Sequence, residues 1–275
     1  MSTPKQPRVV VTGGAGGLGR AFCLVLAERG GKLLISDRDL AGAEKTARLV
    51  TAAGGTAHAV SCDVSKREQV ESLVALAEQH LGGTDLLINN AGVAVSGAIG
   101  AIPIPDWEWI VSINLRGTIY GCHAFVPYFK KQGSGHILNV ASAAGFLSAP
   151  EIGPYNVTKA AVISLSETLC GELIDHKIGV TALCPTFFQT NILSSSRSET
   201  INPHAKAAAT RRRTKSRLQA DDVARAALAS CDKNELHCVP MPDGLWGWRL
   251  KRLSPKAYFT LMPRMLKREQ RLLAQ

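Results

Sequence analysis

Short apolar runs alternate with longer stretches of helical period along most of the chain. Residues 8–14 (RVVVTGG) read as a strand ending in glycine, and 17–30 (GLGRAFCLVLAERG) repeat apolar residues at three- and four-residue spacing up to Gly30. Further apolar runs follow at 32–38, 56–65, 85–92, 135–142, 179–186 and 236–241. Helical patterns lie between them, over 41–55, 66–83, 107–133 and 156–177, with another starting near Asp221. Strands and helices in this order predict βαβ units, with helices on both faces of a parallel sheet. The expectation is an α/β fold: one domain over 1–243, built as a doubly wound Rossmann-type sheet of about seven strands. At 275 residues the chain needs no second core.

Candidate chemistry enters first at the junction of the first strand and helix. VVVTGGAGGLG places Thr12, Gly13, Gly17 and Gly19 there. Glycines at that point let the backbone turn tightly and approach a pyrophosphate, whose charge faces the positive end of the helix dipole. A glycine cluster alone is weak evidence, but this position after a first strand strengthens it. A second candidate is Tyr155 with Lys159, in YNVTK. Four residues apart on a helix, they share a face. By itself such a pair is a solvated helix face. A sharper reading is a pair that moves a proton. A tyrosine with a pKa of about 10 holds its proton too tightly, and a neighbouring ammonium lowers that value.

The glycine spacing T-G-x-x-x-G-x-G, NNAG (89–92), Asn114 in SINLRG, Ser142 in NVASAAG and YNVTK occur in one order. Over roughly residues 8–190 the chain thereby resembles the short-chain dehydrogenase/reductase (SDR) family. The resemblance implies an oxidoreductase that moves a hydride between NAD(P) and an alcohol or carbonyl. Tyr155 would be the acid/base, Lys159 its tuner and a ribose ligand, Ser142 the donor to the substrate oxygen, and Asn114 the holder of a proton-relay water. It assigns the cofactor to Gly13, Gly17, Leu18, Gly19, Asp37, Arg38, Asp63, Val64, Asn90, Gly92, Tyr155, Lys159 and Thr190. Asp37 at the end of the second strand favours NAD, because a carboxylate accepts from ribose hydroxyls and repels a 2′-phosphate. Arg38 beside it leaves NADP open, and with it an NADPH carbonyl reductase. Asp63 and Val64 would bound the adenine, and Asp63 could also cap the next helix. One departure is Thr186 in CPTFFQT, where the family usually has glycine after proline. A catalytically silent dinucleotide-sensing or scaffold protein on the same fold is the alternative from another class. The resemblance also implies a homo-oligomer, dimer or tetramer, with the helix opened by Trp107 and Trp109 at an interface. Asp106 and Glu108 read as helix-start charges.

Composition changes this picture little until the last quarter. Seven cysteines without a C-x-x-C pair read as small core residues, and His123, His136 and His176 have no metal-ligand spacing, so no metal site is expected. No apolar run of about 18 residues occurs and no secretory pattern opens the chain, which points to the cytoplasm or a cytoplasmic membrane face. Residues 1–199 hold 16 basic and 16 acidic side chains, whereas 200–275 hold 16 and 6, so the whole net charge of +10 lies there. The polar stretch of about 191–218 corresponds to the family's substrate lid. Its RRRTKSR (211–217) reads as a solvated charge run or an anion clamp. Nucleic-acid contact is disfavoured, since no recognised module or aromatic platform accompanies it. The extension, 244–275, has eight Lys/Arg and one Glu from Leu245 onward, with Trp246, Trp248, Tyr258 and Phe259 interleaved. That composition fits a peripheral membrane contact through 245–275, and with it a lipophilic substrate. Pro255 and Pro263 break the helix, and closure over the site or packing on a subunit stay open.

Overall fold

The computed structural model describes residues 4–188, 197, 210, 211, 214, 216, 218–262 and 264. Seven strands form one all-parallel sheet in the order β3-β2-β1-β4-β5-β6-β7. They are β1 (Arg8–Thr12), β2 (Lys32–Asp37), β3 (Thr56–Ser61), β4 (Leu86–Asn89), β5 (Gly135–Val140), β6 (Ile178–Leu183) and β7 (His237–Cys238). The expected single-domain doubly wound sheet is therefore observed. Its last strand is two residues long, not six.

Two hydrophobic layers hold the sheet. On one face α1 (Gly17–Glu28), α2 (Leu40–Ala52) and α8 (Ala220–Asp232) bury Phe22, Leu26, Val50, Val223 and Leu228 against Val9, Val11, Leu33 and Ile35. On the other, α3 (Arg67–Leu81), α5 (Gly117–Gln132) and α7 (Gly153–Glu172) cover Val10, Leu34, Leu87 and Ile137 with Val70, Leu73, Phe125, Phe129 and Leu169. Alternate residues of β1 thus enter opposite layers, as the period of two along a strand requires, and both are apolar because both faces are covered. All seven cysteines are free and six are buried, in keeping with a core role. His136 is buried against Thr181 Oγ1 at 2.9 Å, and burial pushes its pKa down to about 4. His123 and His176 are exposed, and no metal-holding cluster exists among the described residues.

Three expectations need amendment. The helix read over 107–133 starts at Ile104 and consists of α4 (Ile104–Ile110), a π-helical turn (Val111–Arg116) and α5. Asp63 does not cap α3: the residue before that helix is Lys66, and the Asp63 carboxylate instead accepts from Ser65 N at 3.0 Å and Ser65 Oγ at 2.8 Å. An Asx-type turn two residues on has outcompeted the cap. The helical pattern to Lys177 stops at Glu172, and a short 3-10 turn (Ile174–His176) completes it.

The extension is helical where it is described. α9 (Pro242–Leu253) is followed at Ser254 by a second piece over 255–262, the break falling at Pro255. One side of α9 lies on α6 (Ala144–Leu147): Trp248 stacks on Phe146 at 4.6 Å, and Lys251 Nζ donates to Phe146 O at 2.5 Å. Tyr258 OH donates to Leu147 O at 2.7 Å. Packing on the chain's own α6 is thus one thing the extension does.

Candidate active site

The sheet order reverses between β1 and β4, and the carboxyl ends of these strands form the crevice where such folds bind ligands. After β1 the chain turns through Gly13, at φ +67°, and Gly17, at φ +53°. A methyl group on Gly13 would stand 2.7 Å from Ala91 Cα, and one on Gly19 would collide with the Gly13 carbonyl. Only glycine fits this close approach of turn, helix and β4. Asn90 holds the turn, donating from Nδ2 to Thr12 O at 2.9 Å and Gly13 O at 3.0 Å. Thr12 Oγ1 returns the link by accepting from Asn90 N at 3.0 Å and Ala91 N at 3.1 Å. Asp37 Oδ2 accepts from Ala15 N at 3.0 Å, tying the end of β2 to the same turn. Arg38 beside it is exposed. Leu18 is buried in the first turn of α1, and Val64 is buried against Gly117 of α5.

Arg20 was not singled out in the sequence, yet it clamps this loop. Its guanidinium donates to Ala15 O and, at 3.0 Å, to Thr46 Oγ1 of α2. An arginine just past a glycine turn carries no distinctive sequence signal.

The second group of residues converges on the ends of β4 and β5. Asn114 sits in the π-helical turn, fully buried, where its Oδ1 accepts from Val93 N at 2.8 Å and its Nδ2 donates to Val93 O at 2.9 Å. π-Turns of this kind recur at functional sites. A methyl added to Gly92 would lie 3.4 Å from Asn114 Oδ1 and 3.6 Å from Lys159 Nζ, so the three meet closely. Lys159 is buried on α7 and donates to Val140 O, at the end of β5, at 2.7 Å. Ser142 follows two residues later, its Oγ accepting from Ala144 N at 3.2 Å and donating to Pro185 O at 3.4 Å. Tyr155 lies one turn before Lys159, near enough to Ser142 for that hydroxyl to favour its phenolate. The tyrosine ring lies against Val93, Val95, Ile102 and Ile110, with Trp107 and Trp109 in the same cluster. The two tryptophans thus share the apolar packing around Tyr155.

The electrostatics differ from the simple expectation. Lys159 Nζ is 5.7 Å from the Tyr155 ring centroid. Burial is the largest influence on both groups and acts against each charge. It pushes Tyr155 above the ordinary tyrosine value, with the Ser142 hydroxyl working the other way, and brings Lys159 down to about 8.

Thr186, the departure from the family pattern, has a partner far along the chain. Its Oγ1 donates to Asp243 Oδ1 at 2.9 Å, where α9 begins. Thr190 and most of the expected lid lie outside the described residues. Arg197 within that stretch pairs through its backbone with Ala94 O at 3.2 Å, and its guanidinium lies 4.2 Å from the Trp109 ring centroid.

A tyrosine–lysine pair beside an open glycine turn, at the carboxyl ends of parallel strands, fits the layout of a Rossmann-type oxidoreductase. The family model for short chain dehydrogenases matches residues 7–201, and the chain belongs to that family. It is 32% identical over 219 residues to an uncharacterized oxidoreductase of Staphylococcus aureus (strain MRSA252), a match covering 80% of this chain and 88% of that one. A short chain dehydrogenase/reductase from Burkholderia phymatum, solved in complex with NAD, superposes with a TM-score of 0.83 at 33% identity, covering 90% of this chain and 94% of that one. A 3-ketoacyl-(acyl-carrier-protein) reductase from Brucella melitensis complexed with NADH gives 0.73 at 30% identity, over 86% and 96%.

Proposed function

We propose that the chain is an NAD-dependent oxidoreductase interconverting a lipophilic alcohol and its carbonyl, with Tyr155 as general acid/base. The observation that carries the reading is a buried Lys159 whose Nζ lies 5.7 Å from the Tyr155 ring centroid, close to Asn114 and Gly92 at the end of β4.

The residues present fit the dinucleotide. Gly16 and Gly17 face open space, with nothing within 4 Å of an added methyl, and α1 starts without a side-chain cap, leaving its first amides for phosphate oxygens. Gly13, Gly17, Leu18 and Gly19 would line the pyrophosphate, Asp37 the ribose, Asp63 and Val64 the adenine, and Asn90, Gly92, Lys159 and Thr190 the nicotinamide side. Bound there, NAD supplies the site where the hydride is accepted or released. Asp37 supports NAD over NADP, and exposed Arg38 is the residue through which a 2′-phosphate could be accepted.

In the direction of reduction, a proton must reach the substrate oxygen as charge builds on it. Burial keeps the Tyr155 hydroxyl protonated at neutral pH, ready to donate, while Ser142 Oγ, which donates to Pro185 O in the free protein, would turn to donate to the same oxygen. Lys159 then favours the phenolate left behind, and Asn114, which holds Val93 in place, opens the route to solvent. The apolar cluster of Val93, Val95, Trp107 and Trp109 favours a lipophilic substrate. The partners in this reading are that substrate, further copies of the chain as a dimer or tetramer, and a membrane surface through 245–275. Exposed Ile119 and Val157 support the oligomer, which light scattering tests. Among the described residues no helix is long and apolar enough to cross a membrane, and a cytoplasmic location is proposed. The intact set of four favours catalysis over a silent scaffold.

The test is Tyr155→Phe with NADH and a panel of lipophilic aldehydes. Loss of general acid catalysis lowers the rate by roughly 100- to 10,000-fold while NADH binding persists. Turnover at the unaltered rate would refute the assignment.

A further inference from the structure

α9 carries two apolar faces, and among the described residues only one of them is packed. Gly244, Gly247, Trp248 and Lys251 form the side turned to α6 and to Thr186. Trp246, Leu250 and Leu253, at positions i, i+4 and i+7, form a stripe on the opposite side. Trp246 is 68% exposed and Leu253 86%. The second helical piece turns Tyr258 inward to Leu147 O and sets the Phe259 ring 5.2 Å from Lys251 Nζ. Large apolar side chains at i, i+4 and i+7 on one helix face are more than scattered surface residues.

Charge selects the occupant. Between Leu245 and Met262 there is no carboxylate, and Arg249, Lys251, Arg252 and Lys256 all fall there. Lys251 is spent inward, on Phe146 O and Ser148 Oγ, and Arg252 lies 5.4 Å from the Trp248 ring centroid. Arg249 and Lys256 are exposed and flank the apolar stripe. A second copy meeting this face through a two-fold axis would bring like charges together. A nucleic acid would satisfy the cations and leave Trp246, Leu250 and Leu253 in water. An anionic bilayer surface answers both, with tryptophan and leucine at the level of the headgroups and cations against phosphate and carboxylate.

We infer that the outer face of 242–262 docks the protein onto anionic lipid, with Trp246, Leu250 and Leu253 inserted and Arg249 and Lys256 reading the surface charge. The inference builds on the membrane contact in the proposed function and is independent of its chemistry. Because the inner face of α9 rests on α6, just after Ser142, docking would bring a lipid surface to the side of the molecule that holds the site.

The test is co-sedimentation of the full chain with phosphatidylcholine vesicles, with and without phosphatidylserine, at low and high salt. Binding is expected only with phosphatidylserine, weakening with salt, and accompanied by a blue shift of tryptophan emission. Trp246→Ser with Leu253→Ser, and separately Arg249→Glu with Lys256→Glu, should each weaken partitioning by roughly tenfold or more. NADH binding reports that both variants are folded. Absence of phosphatidylserine-dependent binding, or unchanged binding by both variants, would overturn the inference. So would self-association of the wild type that the serine variant abolishes without any change on vesicles, since the face would then belong to a second copy. Tyr155→Phe should bind vesicles like the wild type, so failure of the catalytic reading leaves this result standing, and the reverse.

Discussion

The glycine turn and the tyrosine–lysine centre lie on the same edge of the sheet and are stabilised by different physics. The turn is held by hydrogen bonds between side chains and main chain: Thr12, Asn90, Asp37 and Arg20 each bond a backbone atom within 12–15 or 90–91. No buried charge is involved, and its ligand-facing surface is backbone. The tyrosine–lysine centre depends on desolvation. Lys159 is buried with one carbonyl for company, and Tyr155 is raised by the same dry surroundings. A binding site made of backbone tolerates changes of charge and rejects changes of volume. A proton-transfer site made by burial does the opposite. Substitutions that separate geometry from charge therefore distinguish the two regions.

Lys159→Met should have the largest effect. It keeps the length of the side chain and removes its charge. Activity is expected to fall by about 100-fold or more, as for loss of a group that assists proton transfer. Stability should move the other way. The folded-state pKa of about 8 lies below the ordinary 10.5, so the fold disfavours the ammonium. That penalty, roughly 3 kcal/mol by linkage, is fully present below pH 8 and relieved as pH rises towards 10.5. At pH 7 the variant is expected to gain up to that amount, less about 1 kcal/mol for the lost bond to Val140 O. The stability difference from wild type should shrink between pH 8 and 10.5. Urea unfolding of both proteins across that range checks the sign; a difference that does not change with pH would mean Lys159 is solvated.

Asn90→Ala tests the other region. It deletes two donors to the Thr12 and Gly13 carbonyls and changes no charge. A loss of about 1–3 kcal/mol is expected, with weaker NADH binding and a turnover number that changes much less. Fluorescence titration with NADH beside urea unfolding separates these quantities. A fall in turnover as large as that of Lys159→Met would remove the distinction between the regions.

The same distinction explains what could be read from the chain alone. The glycine turn, NNAG and Tyr155 with Lys159 are legible because their geometry is local: the residues sit within one turn or one strand end of each other. The order of strands follows from the alternating pattern because short crossovers leave little freedom. The π-turn at Asn114 was not legible, since apolar periodicity does not separate a four-residue from a five-residue hydrogen-bond step over six residues. Asp63 misled because an acidic residue ahead of a helix serves a cap and an Asx turn equally well, and Ser65 decided between them. Thr186 looked like a plain departure from the family pattern. Its reason, Asp243, lies 57 residues away, and no local rule connects the two.

The smallest expected effect bears on a second long-range link of the extension. Tyr258→Phe removes a single hydroxyl whose bond to Leu147 O fastens the extension to α6, five residues past Ser142. Burial raises the Tyr258 pKa to about 12, so the hydroxyl stays a donor throughout the working pH range and its contribution should not vary with pH. The cost is about 1 kcal/mol, the value of one hydrogen bond. Because α6 follows Ser142 and leaves the glycine turn untouched, NADH affinity should hold while the KM for the carbonyl substrate rises a few-fold. If NADH affinity moves and KM does not, the extension acts on the nucleotide side and the division between the two regions fails. If neither moves, the extension is a passenger on α6, and its outward face is the remaining reason for its length.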